Sequence, residues 1–224
     1  MQNINKKINN LIGKKISTKN HRFGDNGSYG RALEEALGVE ENNISGPDIN
    51  DGETTRELKT TDKKAKITNF SKEPKWNVNE SFKRMQDFFD HYSYISDDGI
   101  KRLNLTLYGN KYNSHNFTLK FDQGKLFITH KTDGDICCWE WKDLEKKFAQ
   151  KLDSTSVVSH TAGVVTSHDE YNNICTKKVN SMLKSGKIVV ETRLTQKSYG
   201  LKNRGTAFRV SPAEFSNMFI EEEE

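Results

Sequence analysis

The sequence predicts an α/β protein carrying a smaller, mainly antiparallel lobe, and three observations predict it. Residues 30–60 read as an amphipathic helix followed by a hairpin with charged residues in a fixed pattern. From Arg102 onward, short runs alternate between apolar and polar residues with turn residues between them, which is the signature of an antiparallel meander. Nearer the C-terminus, the strand-like segments KIVVETRL and TAFRV flank a basic, glycine-containing loop, TQKSYGLKNRG.

The first twenty residues form a basic arm or helix, and residues 21–27 form a polar loop leading to Ser28, a suitable N-cap. The helix that follows buries Leu33 and Leu37, at i and i+4, with Ala36 beside them, and Gly38 is placed to end it. Glu34 sits at the edge of that stripe and looks along the sheet, whereas Glu35 faces solvent. Residues 47–60 then make a hairpin turning at Asn50-Asp51-Gly52-Glu53. Side chains alternate along a strand, so Glu57 and Lys59 share one face while Leu58 turns into the core. Asp48, preceded by Pro47, reaches the same volume, and three polar groups converge.

KAKITNF, residues 64–70, reads as a strand, and Pro74 interrupts the connection that follows. Residues 79–95 read as a packed helix with Phe82, Met85, Phe88 and Phe89 at helical spacing. RLNLTLY, NFTLKF and LFITHK are the strands of the meander, the last two joined by a DQGK turn. ICCWEWKDLEKKFAQKL passes from strand to amphipathic helix with Leu144, Phe148 and Leu152 on one side, a structural helix on this reading. STSVVSHTAGVV returns as strand, and residues 169–185 read as a further helix ending near Gly186.

Charges make up 29% of the chain and apolar residues 33%, the balance of a very polar protein that still has a core to bury. No apolar run approaches the roughly 18 to 20 residues that span a bilayer, and the N-terminus lacks a signal-peptide pattern, so a cytoplasmic location is expected. The three cysteines, with Cys137 and Cys138 adjacent on a strand, suggest neither a disulfide framework nor a zinc site. The six histidines are scattered without metal-ligand spacing, and no phosphate-binding glycine loop occurs. Net charge is +4, but it is segregated: residues 1–24 hold six Lys or Arg and no acid, and residues 177–209 hold nine against Glu191 alone. Such clustering suits a partner with a phosphate backbone.

Two carboxylates and an amine in one volume suit phosphodiester hydrolysis assisted by a hard divalent cation. Mg²⁺ (for which Mn²⁺ can substitute) prefers oxygen ligands and keeps several waters, so Asp48 and Glu57 fit as its protein ligands, with the Leu58 carbonyl beside them. Lys59 would position the attacking water and offset charge on the phosphate, and Glu34 would orient a water or help hold a second ion. Asp51, beside Gly52 in the turn, is the rival to Asp48. The bland alternative is a surface cross-strand pair of Glu57 and Lys59, with Asp48 merely starting a turn.

GRALEEALGVEENNISGPDI, ELKT, KITNFSKEP, WEWKDLEKKFAQKL, SGKIVVETRL and RGTAFRV, in that order, resemble the MvaI/BcnI family of type II restriction endonucleases, part of the PD-(D/E)xK superfamily and akin to the MutH nicking enzymes. The resemblance spans most of the chain. It implies a PD-(D/E)xK restriction-endonuclease-like core with a mixed β-sheet flanked by helices, plus the antiparallel lobe, the two clasping duplex DNA. By position it puts the catalytic set on Glu34, Asp48, Glu57 and Lys59, and the family's cleft arginines on Arg193 and Arg209. One departure is the longer spacing from Asp48 to Glu57 than in the best-known members.

Residues 1–100 are then expected to carry the catalytic part, 101–170 an antiparallel sheet and helix completing core or lobe, and 171–224 a recognition lobe with the acidic tail. Arg193 and Arg209 are assigned to bases, because a guanidinium fork donates twice to guanine. Lys197, Lys202, Arg204 and Lys72 are assigned to phosphates or groove edges. The alternative for Arg209 is an ion pair with an acid in the sheet. The activity implied is Mg²⁺-dependent cleavage of double-stranded DNA by a monomer that nicks each strand in turn, with a cognate DNA methyltransferase in the same cell. The runners-up are a MutH-like strand nickase and a DNA-binding protein without catalysis.

Overall fold

The computed structural model describes residues 4–18, 28–39, 47–50, 55–76 and 78–220. The loop expected at 21–27, most of the turn expected at 50–53 with Asp51, and the acidic tail lie outside the described residues. Contacts divide the chain into two compact units that interleave along the sequence: Met1–Ile67, Phe148–Cys175 and Ser211–Glu224 form one, Thr68–Lys147 and Thr176–Val210 the other. Among the described residues, no helix is long and apolar enough to cross a membrane.

The first unit is built on a mixed sheet. Strands β1 (Ile49–Asn50) and β2 (Thr55–Thr61) pair antiparallel, β2 runs parallel to β9 (Ser154–Thr161), and β9 pairs antiparallel with β10 (Val164–Asn172). One face is apolar: Leu58 and Val158 pack against Ile8 of α1 (Ile4–Asn9) and against Ala32, Leu33 and Leu37 of α2 (Ser28–Leu37). The period of 3.6 residues brings those α2 positions to one side. Ala32 takes the place expected of Ala36, which is exposed; the sheet meets the helix at its first turns, where Gly30 lies against Thr60. Gly38 ends the helix as expected: at φ +71° it lets the Val39 N–H reach the Glu34 carbonyl and its own N–H reach Glu35.

The second unit holds a five-stranded sheet in the order β3 (Ile67–Ser71), β12 (Gly200–Val210), β11 (Ile188–Lys197), β5 (Lys101–Leu107), β4 (Tyr94–Ile95). A separate antiparallel meander is formed by β6 (Phe117–Asp122), β7 (Lys125–His130) and β8 (Gly134–Glu140); RLNLTLY, expected as a strand of that meander, is β5 instead and pairs with β11 in the five-stranded sheet. In β5, Leu103, Leu105 and Leu107 are buried, so the intervening Arg102, Asn104 and Thr106 take the other face. The helix α4 (Trp141–Leu152) begins directly after β8 and buries Leu144, Phe148 and Leu152.

Three further elements depart from expectation. The helix expected over 79–95 is α3 (Met85–Tyr92) only, because Asn79 captures the Ser81 N–H in a turn and the Arg84 N–H goes to Asp87 at the helix start. The helix expected over 169–185 is α5 (Thr176–Lys184), since residues up to Asn172 pair with β9 and Tyr171 packs its ring on Phe215 and Phe219. The loop TQKSYGLKNRG is largely strand: pairing runs to Lys197↔Gly200, leaving Ser198 and Tyr199 as the turn. Ladder bonds need only backbone groups, so polar side chains do not break them.

Candidate active site and nucleic-acid interface

In the register of β1 and β2, Ile49 lies opposite Arg56, so one step further sets Asp48 opposite Glu57. Like charges directly opposed repel, and the fold answers this in two ways. The Leu58 N–H donates to Asp48 Oδ2 at 3.0 Å, tying that carboxylate to the strand. An ammonium, Lys151 Nζ, lies 2.6 Å from Glu57 Oε2 and 3.5 Å from Asp48 Oδ1. Lys59, two residues along β2 and on the same face, donates to Glu57 Oε1 at 2.5 Å. The Glu57 side chain is 1% exposed. Asp48, Glu57 and Lys59 are thus brought together, with Leu58 turned into the core behind them.

Both oxygens of Glu57 carry an ammonium, although the Lys151 approach lies off the hydrogen-bonding direction. Burial pushes the Glu57 carboxyl above the usual glutamate range; Lys59 opposes this, the Asp48 charge adds to it, and Lys151 opposes it again. The Asp48–Glu57 pair therefore already holds a cation, in the form of the Lys151 ammonium. Two hard carboxylate oxygens around a positive charge are the donor set that a Mg²⁺-type ion takes from a protein. The residues present fit such an ion.

Glu34 lies half-buried on α2, and among the described residues no group of three metal-ligating side chains forms, so it does not join Asp48 and Glu57 in a three-acid cluster. Lys151 went unread in the sequence because α4 looked wholly structural. Its position three residues after Phe148, on the edge of the buried stripe, is the signal that places it against the sheet.

The second unit presents a polar groove of about 480 Å³ on the five-stranded sheet, with Arg193, Lys197, Lys202 and Arg204 among its lining. Arg102, Asn104, Leu105 and Thr106 of β5 form the rest of the wall with Glu191, Thr192 and Thr195 of β11. Sequence reading singled out none of the β5 residues. The floor is organised by Glu191, which is 7% exposed. It accepts from Arg193 at 2.6 Å and lies 3.3 Å from Arg209. The ion-pair alternative for Arg209 is therefore present. Burial lowers the affinity of the Arg209 guanidinium for its proton, Glu191 restores it, and Arg193 lowers it again. Lys72 lies outside the groove lining, its ammonium 3.2 Å from the Asp143 carbonyl.

The chain matches the MvaI/BcnI restriction endonuclease family over residues 6–219. Among solved structures it is similar to one described as a restriction endonuclease MvaI-cognate DNA substrate complex, with 22% identity, a TM-score of 0.75 and coverage of 97% of this chain and 96% of that one. It is also similar to restriction endonuclease MvaI in the absence of DNA, at 21% identity, TM-score 0.53 and coverage of 95% and 92%. No curated protein sequence matches it. With the family match running through nearly the whole chain, the protein belongs to the MvaI/BcnI restriction endonuclease family.

Proposed function

We propose that the protein is a type II restriction endonuclease that hydrolyses both strands of duplex DNA at a short, nearly palindromic site, as a monomer, with Mg²⁺. The observation that carries the reading is the meeting of Asp48 and Glu57 about one positive charge, with Lys59 on the same strand face. Asp48 and Glu57 hold the ion. When bound, a divalent cation supplies Lewis acidity toward the scissile phosphate and the leaving oxygen. Lys59 orients the attacking water and offsets negative charge building on the phosphate. Glu57 keeps the Lys59 ammonium fixed beside that position.

Arg193 and Arg209, held on Glu191, read bases, and Lys197, Lys202 and Arg204 engage the backbone. A single catalytic set implies that the strands are cut one after the other. A cognate DNA methyltransferase would protect the host chromosome in the same compartment, the cytoplasm.

A time course on supercoiled plasmid tests this reading. Open circles followed by linear DNA of fixed ends are expected with Mg²⁺, and chelation should stop both. Open circles that never become linear would make the protein a strand nickase of the MutH kind, and tight binding without cutting a DNA-binding protein.

A further inference from the structure

Arg193 faces Asn104 across the β11–β5 pair, the two residues being direct partners in the register. Asn104 stands in a strand interior, where asparagine is depleted, on the face opposite the buried leucines of β5. It is exposed, it lines the groove, and its amide has no hydrogen-bond partner among the described residues. Its neighbours are engaged: Arg102 is held by Asp98 at 2.5 Å and Arg193 by Glu191 at 2.6 Å.

We propose that Asn104 is a specificity-determining residue that reads an adenine in the major groove, on the base pair next to the guanine read by Arg193. This rests on the assignment of the groove to DNA. The chemistry is that of matched patterns. An asparagine amide offers one acceptor and one donor side by side, which complement the N6 amino group and N7 of adenine, whereas an arginine fork complements O6 and N7 of guanine. The spacing agrees, because side chains directly opposite on antiparallel strands have Cβ atoms about 4.5–5.5 Å apart, and stacked bases rise about 3.4 Å. One cross-strand pair therefore addresses two successive base pairs, and the site should contain an A·T pair beside a G·C pair.

The test is selection from a duplex library with a randomised central segment, with chelator present so that no strand is cut, using wild type, Asn104→Ala and Asn104→Asp. Wild type should enrich a site with adenine at one position. Asn104→Ala should lose that preference by roughly 5- to 150-fold while the other positions hold. Asn104→Asp, of the same size but accepting only, should move the preference toward cytosine, whose N4 donates. Unchanged preference at every position, or equal weakening on all sequences, would overturn the proposal, as would the absence of any selected site. Wild type that selects a site but cuts no DNA with Mg²⁺ would sink the nuclease reading and leave this one standing.

Discussion

Glu57 is a buried carboxylate with an ammonium on each oxygen, and Lys59 and Lys151 reach it from different elements. Their roles separate on substitution. In the proposed mechanism Lys59→Ala removes the cation that would face the reacting phosphate, so cleavage should fall by at least about 10²–10³-fold. Binding of duplex DNA, measured by titration, should stay close to wild type; retained cleavage would remove Lys59 from the mechanism. Lys151→Ala takes away the charge that occupies the space between Asp48 and Glu57, so the variant should bind Mn²⁺ more tightly in calorimetric titration. Weaker binding would show that Lys151 supports the ion instead of standing in for it. The three residues on and beside β2 were legible in the sequence because strand alternation and hairpin register are local rules. Lys151 was not, since nothing local says that a helix so far along the chain returns to the same sheet.

At the scale of elements, Gly109 and His168 mark two sensitive junctions. A Cβ built at Gly109, just past β5, would lie 2.1 Å from the Leu183 carbonyl oxygen of α5, a backbone atom that has no rotamer to move. Gly109→Ala should therefore lose about 1–3 kcal/mol in urea unfolding, and an unchanged midpoint would contradict this close approach. His168 joins β10 to α1 and β9, with Nδ1 at 3.0 Å from Asn9 Oδ1 and Nε2 at 3.1 Å from Ser156 Oγ. Burial pulls its pKa below the ordinary histidine value; Glu170 and Asp169 oppose this and Arg56 reinforces it. The unfolded chain thus takes up the proton more readily, so stability is full above about pH 6.5 and declines as pH falls through the lower folded value. In thermal melts from pH 7.5 to 5, His168→Gln should flatten that decline, and an unaltered slope would assign it elsewhere. Helix boundaries were where sequence reading failed: α3 starts late because side chains of Asn79 and Asp87 take backbone donors, and β10 runs long because pairing with β9 outweighs helical periodicity. α2, β2 and α4 were legible from their spacing alone.

At the scale of the whole molecule, charge segregation pointed to a polyanionic partner before any element was placed. The part of the C-terminal basic segment beyond α5 proves to be one long hairpin whose Arg193, Lys197, Lys202 and Arg204 share a groove. The loop between KIVVETRL and TAFRV gave no hint that its residues stay paired. Nor did the meander pattern mark β5 as the groove's second wall, because its polar side chains read simply as a solvated face. If Lys197 and Lys202 neutralise phosphates, each alanine substitution should reduce the slope of log affinity against log salt by about one. Unchanged slopes would take both lysines off the backbone.

The proposed mechanism has Asp48 and Glu57 gather an ion beside Lys59 to cut DNA at a fixed sequence. Its most direct measurement is a digest of unmethylated phage DNA, with the fragment ends sequenced, by wild type and Glu57→Gln in parallel, each with Mg²⁺ and with chelator. Wild type with Mg²⁺ should leave one short recognition sequence at every end, and the other three reactions should leave the DNA intact. Equal cutting by Glu57→Gln, or cutting that survives chelation, would contradict it.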